Sequence, residues 1–415
     1  MESALTKMLP HELIIPEITA PSEPIEYDLQ IMAHTATTIV ESLGIEPESV
    51  VLLYYQAQGE ALTAEIRNKI IECGATFIDV PFSYAHVGDL IRSGKGRTQE
   101  HIDADMVKIK DGFTHAVNIN ANRNDDNGLK KPEELEALGE YIKARGPFFG
   151  AIMDSRWMKV DLPTPEEAAT AGRAWDEYYT MVMRSFDRPW DQISEAQEIL
   201  AQRLQQGSRL DVFVKSEDAR FTTKLSMKIG GKSTANSTIE SNFPGSEVFF
   251  GPERGTMNGT LGIDHPFILE GQVIPNLVLT IQDGAVTDYK VYDDDDGNID
   301  VGAQSRITKL FDLLRDDETG KIEIGEFGIG TNSELFGIIP NPQLSEKARG
   351  LHLGIGGFGN DFSDQDNGVR TPRGHIDFVR QNGGTHSTMT VDGKVIQANG
   401  YFVDPRLSIL HTRQG

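Results

Sequence analysis

Apolar and polar positions alternate along the first half of the chain at two periods. The stretch ending at Leu43 and residues 61–73 carry apolar side chains three and four apart, which predicts helices. Residues 50–54, 76–80 and 116–119 are short apolar runs bounded by turn formers, which predicts buried strands. A helix over 132–145 and a further apolar run at 148–153 extend this strand and helix rhythm, so residues 26 to about 155 are expected to form a layered α/β domain with a mostly parallel sheet. Residues 1–25 contain Pro10, Pro16, Pro21 and Pro24 and are expected to be an extended lead-in, because proline fixes its own backbone and disfavours helix before it. A helical connector opens at Thr164-Pro165-Glu166-Glu167, where threonine caps and proline fits the first turn. A helix over 193–206 stopped by Gly207 completes a region spanning 26–207.

After Gly207 the period changes to two. Runs at 209–215, 221–229 and 273–281 are separated by Gly, Asn and Asp, and both Asp283-Gly284 and Asp392-Gly393 sit between apolar runs as tight hairpin turns do. The fold class that follows is α/β: an N-terminal layered α/β domain followed by a β-rich α+β domain over 208–415.

Composition narrows the function classes. The chain has 415 residues, 38% of them hydrophobic and 25% charged, the balance of an ordinary globular protein. Its 39 basic and 63 acidic side chains leave a net charge of −24, a field that repels phosphate backbones and anionic lipid, so neither nucleic acid nor membrane is expected as a partner. No window approaches the roughly 18 uninterrupted apolar residues of a membrane span. Cys73 is the single cysteine, which excludes an internal disulfide or a multi-thiolate zinc site and fits a cytoplasmic location. Any metal must therefore use His, Asp or Glu.

The tract Asp293-Asp294-Asp295-Asp296-Gly297 lacks the ligand spacing of a calcium loop and reads as a solvated turn, and the glycine-rich residues 354–359 lack the lysine of a phosphate loop. His375-Ile376-Asp377 is sharper: on a strand, residues two apart share a face, so imidazole and carboxylate can meet one ion, although a hydrogen-bonded structural pair has the same spacing. His352 stands among apolar and glycine residues in Gly350-Leu351-His352-Leu353-Gly354, where burial favours a neutral, ligating imidazole or a satisfied core histidine. Glu326 in Ile324-Gly325-Glu326-Phe327-Gly328 and Glu247 in Pro244-Gly245-Ser246-Glu247-Val248 are carboxylates in apolar surroundings, which are costly unless a salt bridge or a metal compensates them. Together, three carboxylates and two imidazoles without thiolate suit a pair of divalent cations.

These residues resemble the aminopeptidase T and aminopeptidase S group of two-metal exopeptidases. Asn242-Phe243-Pro244-Gly245-Ser246-Glu247-Val248-Phe249 is similar to that family's first glutamate block, Gly325-Glu326-Phe327-Gly328-Ile329-Gly330-Thr331-Asn332 to its second, and His352 with His375-Ile376-Asp377 to its final ligands. The resemblance implies a site in which Glu247, Glu326, His352, His375 and Asp377 hold two divalent ions, zinc, cobalt, manganese or magnesium, one carboxylate bridging them. It also implies an aminopeptidase activity on short peptides or related amides, and a homodimer. The family's tyrosine seven residues after the first ligand histidine is replaced by Gly359, preceded by Phe358. Glu346, six residues before His352, is the candidate for the proton-carrying carboxylate. Two alternatives stand beside this reading. In one, His352, His375 and Asp377 alone bind Fe(II), as in the ring-cleaving dihydroxypyridine dioxygenases that resemble the same scaffold. In the other, the metal serves structure only.

Overall fold

The computed structural model describes residues 25–93, 112–121, 129, 131–229, 234–269, 272–293, 297–316, 319–357, 367–369, 375–381 and 386–413, with the backbone alone for 84–86, 90, 132, 135, 142 and 375. The expected lead-in up to residue 24, Asp294, Asp295, Asp296, Phe358 and Gly359 lie outside them. The chain divides into two compact units, 1–188 with 239–244, and 189–238 with 245–415.

The first unit is built on a parallel sheet whose strands run in the order Thr76–Phe82, Val50–Gln56, His115–Asn120, Arg156–Asp161 and Ser241–Phe243. Strands buried on both sides need continuous apolar runs, and Val51, Leu52 and Leu53 are fully buried in the second of them. The helices Leu29–Leu43 and Glu60–Glu72 fall where the apolar spacing predicts them. The expected strand at 148–153 is instead part of a helix, Gly146–Asp154, and the strand is the next segment. Six apolar residues in a row do not distinguish a buried strand from a buried helix. Pro147 in the first turn favours the helix, and Phe148 and Ile152, four apart, then share one face against Leu52, Tyr54 and Ala116.

The second unit is β-rich. An antiparallel sheet of eight strands, counted among the described residues, includes both expected hairpins: Leu277–Gln282 with Ala285–Lys290, and Ser387–Val391 with Lys394–Ala398. At each turn Asp and Gly both have positive φ, 50° and 73° at Asp283 and Gly284, 49° and 76° at Asp392 and Gly393, the conformation that matches the right-handed twist of the paired strands. The expected single run at 273–281 is two strands, Gln272–Ile274 and Leu277–Gln282, interrupted at Pro275.

A second sheet carries four strands that matter below: β1 (Glu247–Phe250), β2 (Ile324–Gly330), β3 (Gly350–Gly356) and β4 (His375–Gln381). They are antiparallel neighbours in the order β4, β3, β2, β1, with the short strand Ala235–Ser237 beyond β1. One face of this sheet is hydrophobic core: Val248, Phe250, Phe327, Ile329, Leu351, Leu353 and Ile355 are each at most 2% exposed. The Phe327 ring lies 5.5 Å from that of Phe250, tilted by 40°, and Phe378 lies 5.6 Å from Phe311 of the helix Val301–Leu313. Among the described residues no helix is long and apolar enough to cross a membrane.

Candidate metal centre

The opposite face of that sheet gathers the candidate ligands, and register explains how. Cross-strand partners share a face, as do residues two apart on one strand. On β2, Glu326, Gly328 and Gly330 therefore form one row. Glu247 pairs with Gly330, His352 with Gly328, and Glu326 with Gly354. Asp377 pairs with Gly354 from the other side, and His375 holds the position opposite Gly356. Every candidate ligand position is thus paired with a glycine on one neighbouring strand. At Gly328 a Cβ would fall on the His352 imidazole, whereas at Gly330 it would meet the backbone carbonyls of Ala348 and Glu346. Gly328 is the space into which the His352 ring fits.

Three of the groups meet directly. Ligand atoms of Glu247, Glu326 and His352 all lie within 4.8 Å of one another, and all three residues are buried. His352 Nε2 donates to Glu326 Oε1 at 3.1 Å and stands 3.6 Å from Glu247 Oε2. Among the described residues, Glu247 Oε2 and His352 Nδ1 make no hydrogen bond. Burial works against a charged imidazole here, yet the hydrogen bond to Glu326 and the charges of Asp377, Glu247 and Glu326 prevail and hold His352 up at about 9. Two carboxylates and an imidazole without thiolate are hard and borderline donors, so the donor set fits divalent metal. Asp377 acts on His352 electrostatically and shares its face of the sheet, but it is not among the three groups that meet within 4.8 Å.

Glu346 and Lys347 enter from the helix Pro342–Lys347. Lys347 Nζ donates to Glu346 Oε1 at 2.7 Å and to Glu247 Oε1. Burial pushes the Glu346 carboxyl up to about 8; Lys347 opposes this, Asp377 and Glu247 add to it, and His352 opposes it. Burial also disfavours the Lys347 ammonium, but the two adjacent carboxylates hold it above the ordinary lysine range.

The backbone that aims Glu247 is pinned from three directions. Ser246 has φ 94°, a conformation rare for a residue with a side chain. Its N–H donates to Ser237 O at 2.9 Å, its carbonyl accepts from the Thr331 N–H at 2.8 Å, and its hydroxyl lies 2.9 Å from Thr331 Oγ1. Gln197, buried on the helix Trp190–Gln205, donates through Nε2 to the Glu247 carbonyl. Lys347, Gln197, Ser246 and Thr331 were not legible as site residues in the sequence. A usable signal was present in the glycines at every second or third position beside Glu326.

Residues 28–358 match the family model described as Thermophilic metalloprotease (M29). The fold is similar to that of wild-type AmpT from Thermus thermophilus, with a TM-score of 0.65 over 90% of this chain and 99% of that one at 13% sequence identity, a likeness of fold. No curated protein sequence matches the chain.

Proposed function

This chain belongs to the thermophilic metalloprotease family M29, and from that premise we propose that it is an aminopeptidase acting on short peptides, with Glu247, Glu326, His352, His375 and Asp377 holding two divalent ions and Glu346 carrying the proton. The observation that carries this reading is the buried convergence of Glu247, Glu326 and His352 in a row of ligand positions, each opposite a glycine. Bound divalent ions supply Lewis acidity toward the scissile carbonyl and a water acidic enough to react near neutral pH.

The protein's own groups do the rest. Glu326, in contact with His352, would hold metal together with it. Glu346, held by Lys347 beside Glu247 and with 16% of its side chain exposed, would take a proton from water and return it to the leaving amine. The single cysteine and the family resemblance support a cytoplasmic homodimer.

Elemental analysis together with turnover of leucyl and other aminoacyl anilides tests the proposal. Two divalent ions per chain and release of the aniline are expected, with both lost in Glu326→Ala. One iron per chain with oxygen uptake on a hydroxylated ring, little affected by Glu326→Ala, would replace this reading by the dioxygenase one.

A further inference from the structure

The metal reading accounts for the carboxylates and imidazoles of the row but leaves Lys347, a cation at the edge of a cation site. Its side chain is fully buried, an expensive place for an ammonium, and its backbone is fixed: the Asn332 N–H donates to the Lys347 carbonyl at 2.9 Å, and Asn341 caps the short helix by accepting from the Leu344 N–H at 3.4 Å. Asn332 directly follows Thr331, which holds Ser246 and through it the start of β1. The lysine and Glu247 are therefore set against each other by one continuous stretch of hydrogen-bonded backbone.

The two oxygens of Glu247 have different surroundings. Oε1 accepts from Lys347 Nζ, whereas Oε2 faces His352 Nε2 at 3.6 Å and makes no hydrogen bond among the described residues. A carboxylate with both oxygens free can close on one cation with both, while one whose first oxygen takes a charge-assisted hydrogen bond has a single oxygen left for metal. The same Nζ holds Glu346 Oε1.

We propose that Lys347 is a positioning residue: it reserves one oxygen of Glu247, so that Glu247 offers the metal cluster Oε2 alone, and it tethers Glu346 beside the same carboxylate. This rests on the metal-centre reading above. A lysine that merely neutralised buried charge would have no bearing on how many oxygens Glu247 presents.

The test uses the full-length protein stripped of metal and titrated with Co2+ alone, followed by calorimetry and by the visible spectrum, which reports coordination number and geometry. For Lys347→Met we expect a changed spectrum and binding roughly tenfold tighter, because a competing cation has gone and a second oxygen is released. Turnover of an aminoacyl anilide should fall about a hundredfold, because the carboxylates are no longer held. A spectrum identical to wild type, or weaker binding with the spectrum unchanged, overturns the proposal. Should Lys347→Met fail to fold, the wild-type protein decides: a crystal structure with Zn2+ in which Glu247 uses Oε2 alone and keeps Nζ on Oε1 supports the proposal, and one in which both oxygens bind metal overturns it. A wild-type protein that takes up no Co2+ sinks the metal reading itself and this inference with it, an outcome distinct from a change seen or missing in the variant alone.

Discussion

Gly328 shows how tightly chemistry and packing are joined at a single residue. A methyl group there would occupy the volume of the His352 ring, so the imidazole must move; if His352 holds metal as proposed, a displacement of about 1 Å would cost on the order of a hundredfold in rate. Gly328→Ala is expected to fold but to lose most bound metal and about that much turnover, read by elemental analysis beside kcat. His265 supplies a second residue-scale prediction. Its Nδ1 lies 3.3 Å from the Pro266 carbonyl and its Nε2 accepts from the Gln381 N–H at 3.4 Å, so the neutral ring satisfies both contacts and a proton on Nε2 breaks one. Burial lowers its pKa from the ordinary 6.5. A lowered histidine means the unfolded chain binds the proton first. Stability is intact above pH 6.5 and falls as the pH drops from there through the folded-state value. The thermal midpoint should decline on acidification below pH 6.5, and His265→Gln should flatten that part of the curve.

Elements act by carrying these residues to one another. The helix Trp190–Gln205 reaches β1 through Gln197, whose amide satisfies the carbonyl of Glu247. Gln197→Leu leaves that buried carbonyl without its donor, at a cost of about 1–3 kcal/mol. Urea unfolding should show the loss, and metal uptake should weaken with it because the same carbonyl fixes the ligand strand. The hairpin Ser387–Val391 with Lys394–Ala398 isolates a purely conformational term. Gly393 has φ 76° and nothing within 4 Å of where a Cβ would stand, so Gly393→Ala should cost about 1–2 kcal/mol from the left-handed backbone alone. Gly393→Asn should cost less, since asparagine tolerates that conformation, and chemical denaturation of the two variants side by side measures the difference.

At the scale of the whole molecule, the proposed metal centre would link metal binding to folding, because the converging carboxylates exist only in the folded chain. Free divalent ion at about 100 times its Kd should add about 2.7 kcal/mol per site to the unfolding free energy. Chelation should lower the thermal midpoint and titrated Zn2+ should restore it; a midpoint indifferent to both would contradict a metal held by these residues. The same linkage bears on what could be read from the chain alone. Period and turn chemistry determined the α/β class followed by β-rich structure and both Asp-Gly hairpins, because these depend on residues close in sequence. Carboxylates and imidazoles in apolar, glycine-rich settings pointed to Glu247, Glu326 and His352, because a charge in such company needs a partner wherever it lies. Periodicity could not distinguish helix from strand at 148–153, where six apolar residues fit either and packing of Phe148 and Ile152 on the sheet selected the helix. Nor could it disclose that each candidate ligand position would pair with a glycine, that Lys347 would lie against Glu247 a hundred residues away, or that Gln197 would support the same strand from a helix. Those are matters of register and of which oxygen meets which donor. They are decided by strand pairing between distant segments, which composition and local pattern do not encode one residue at a time.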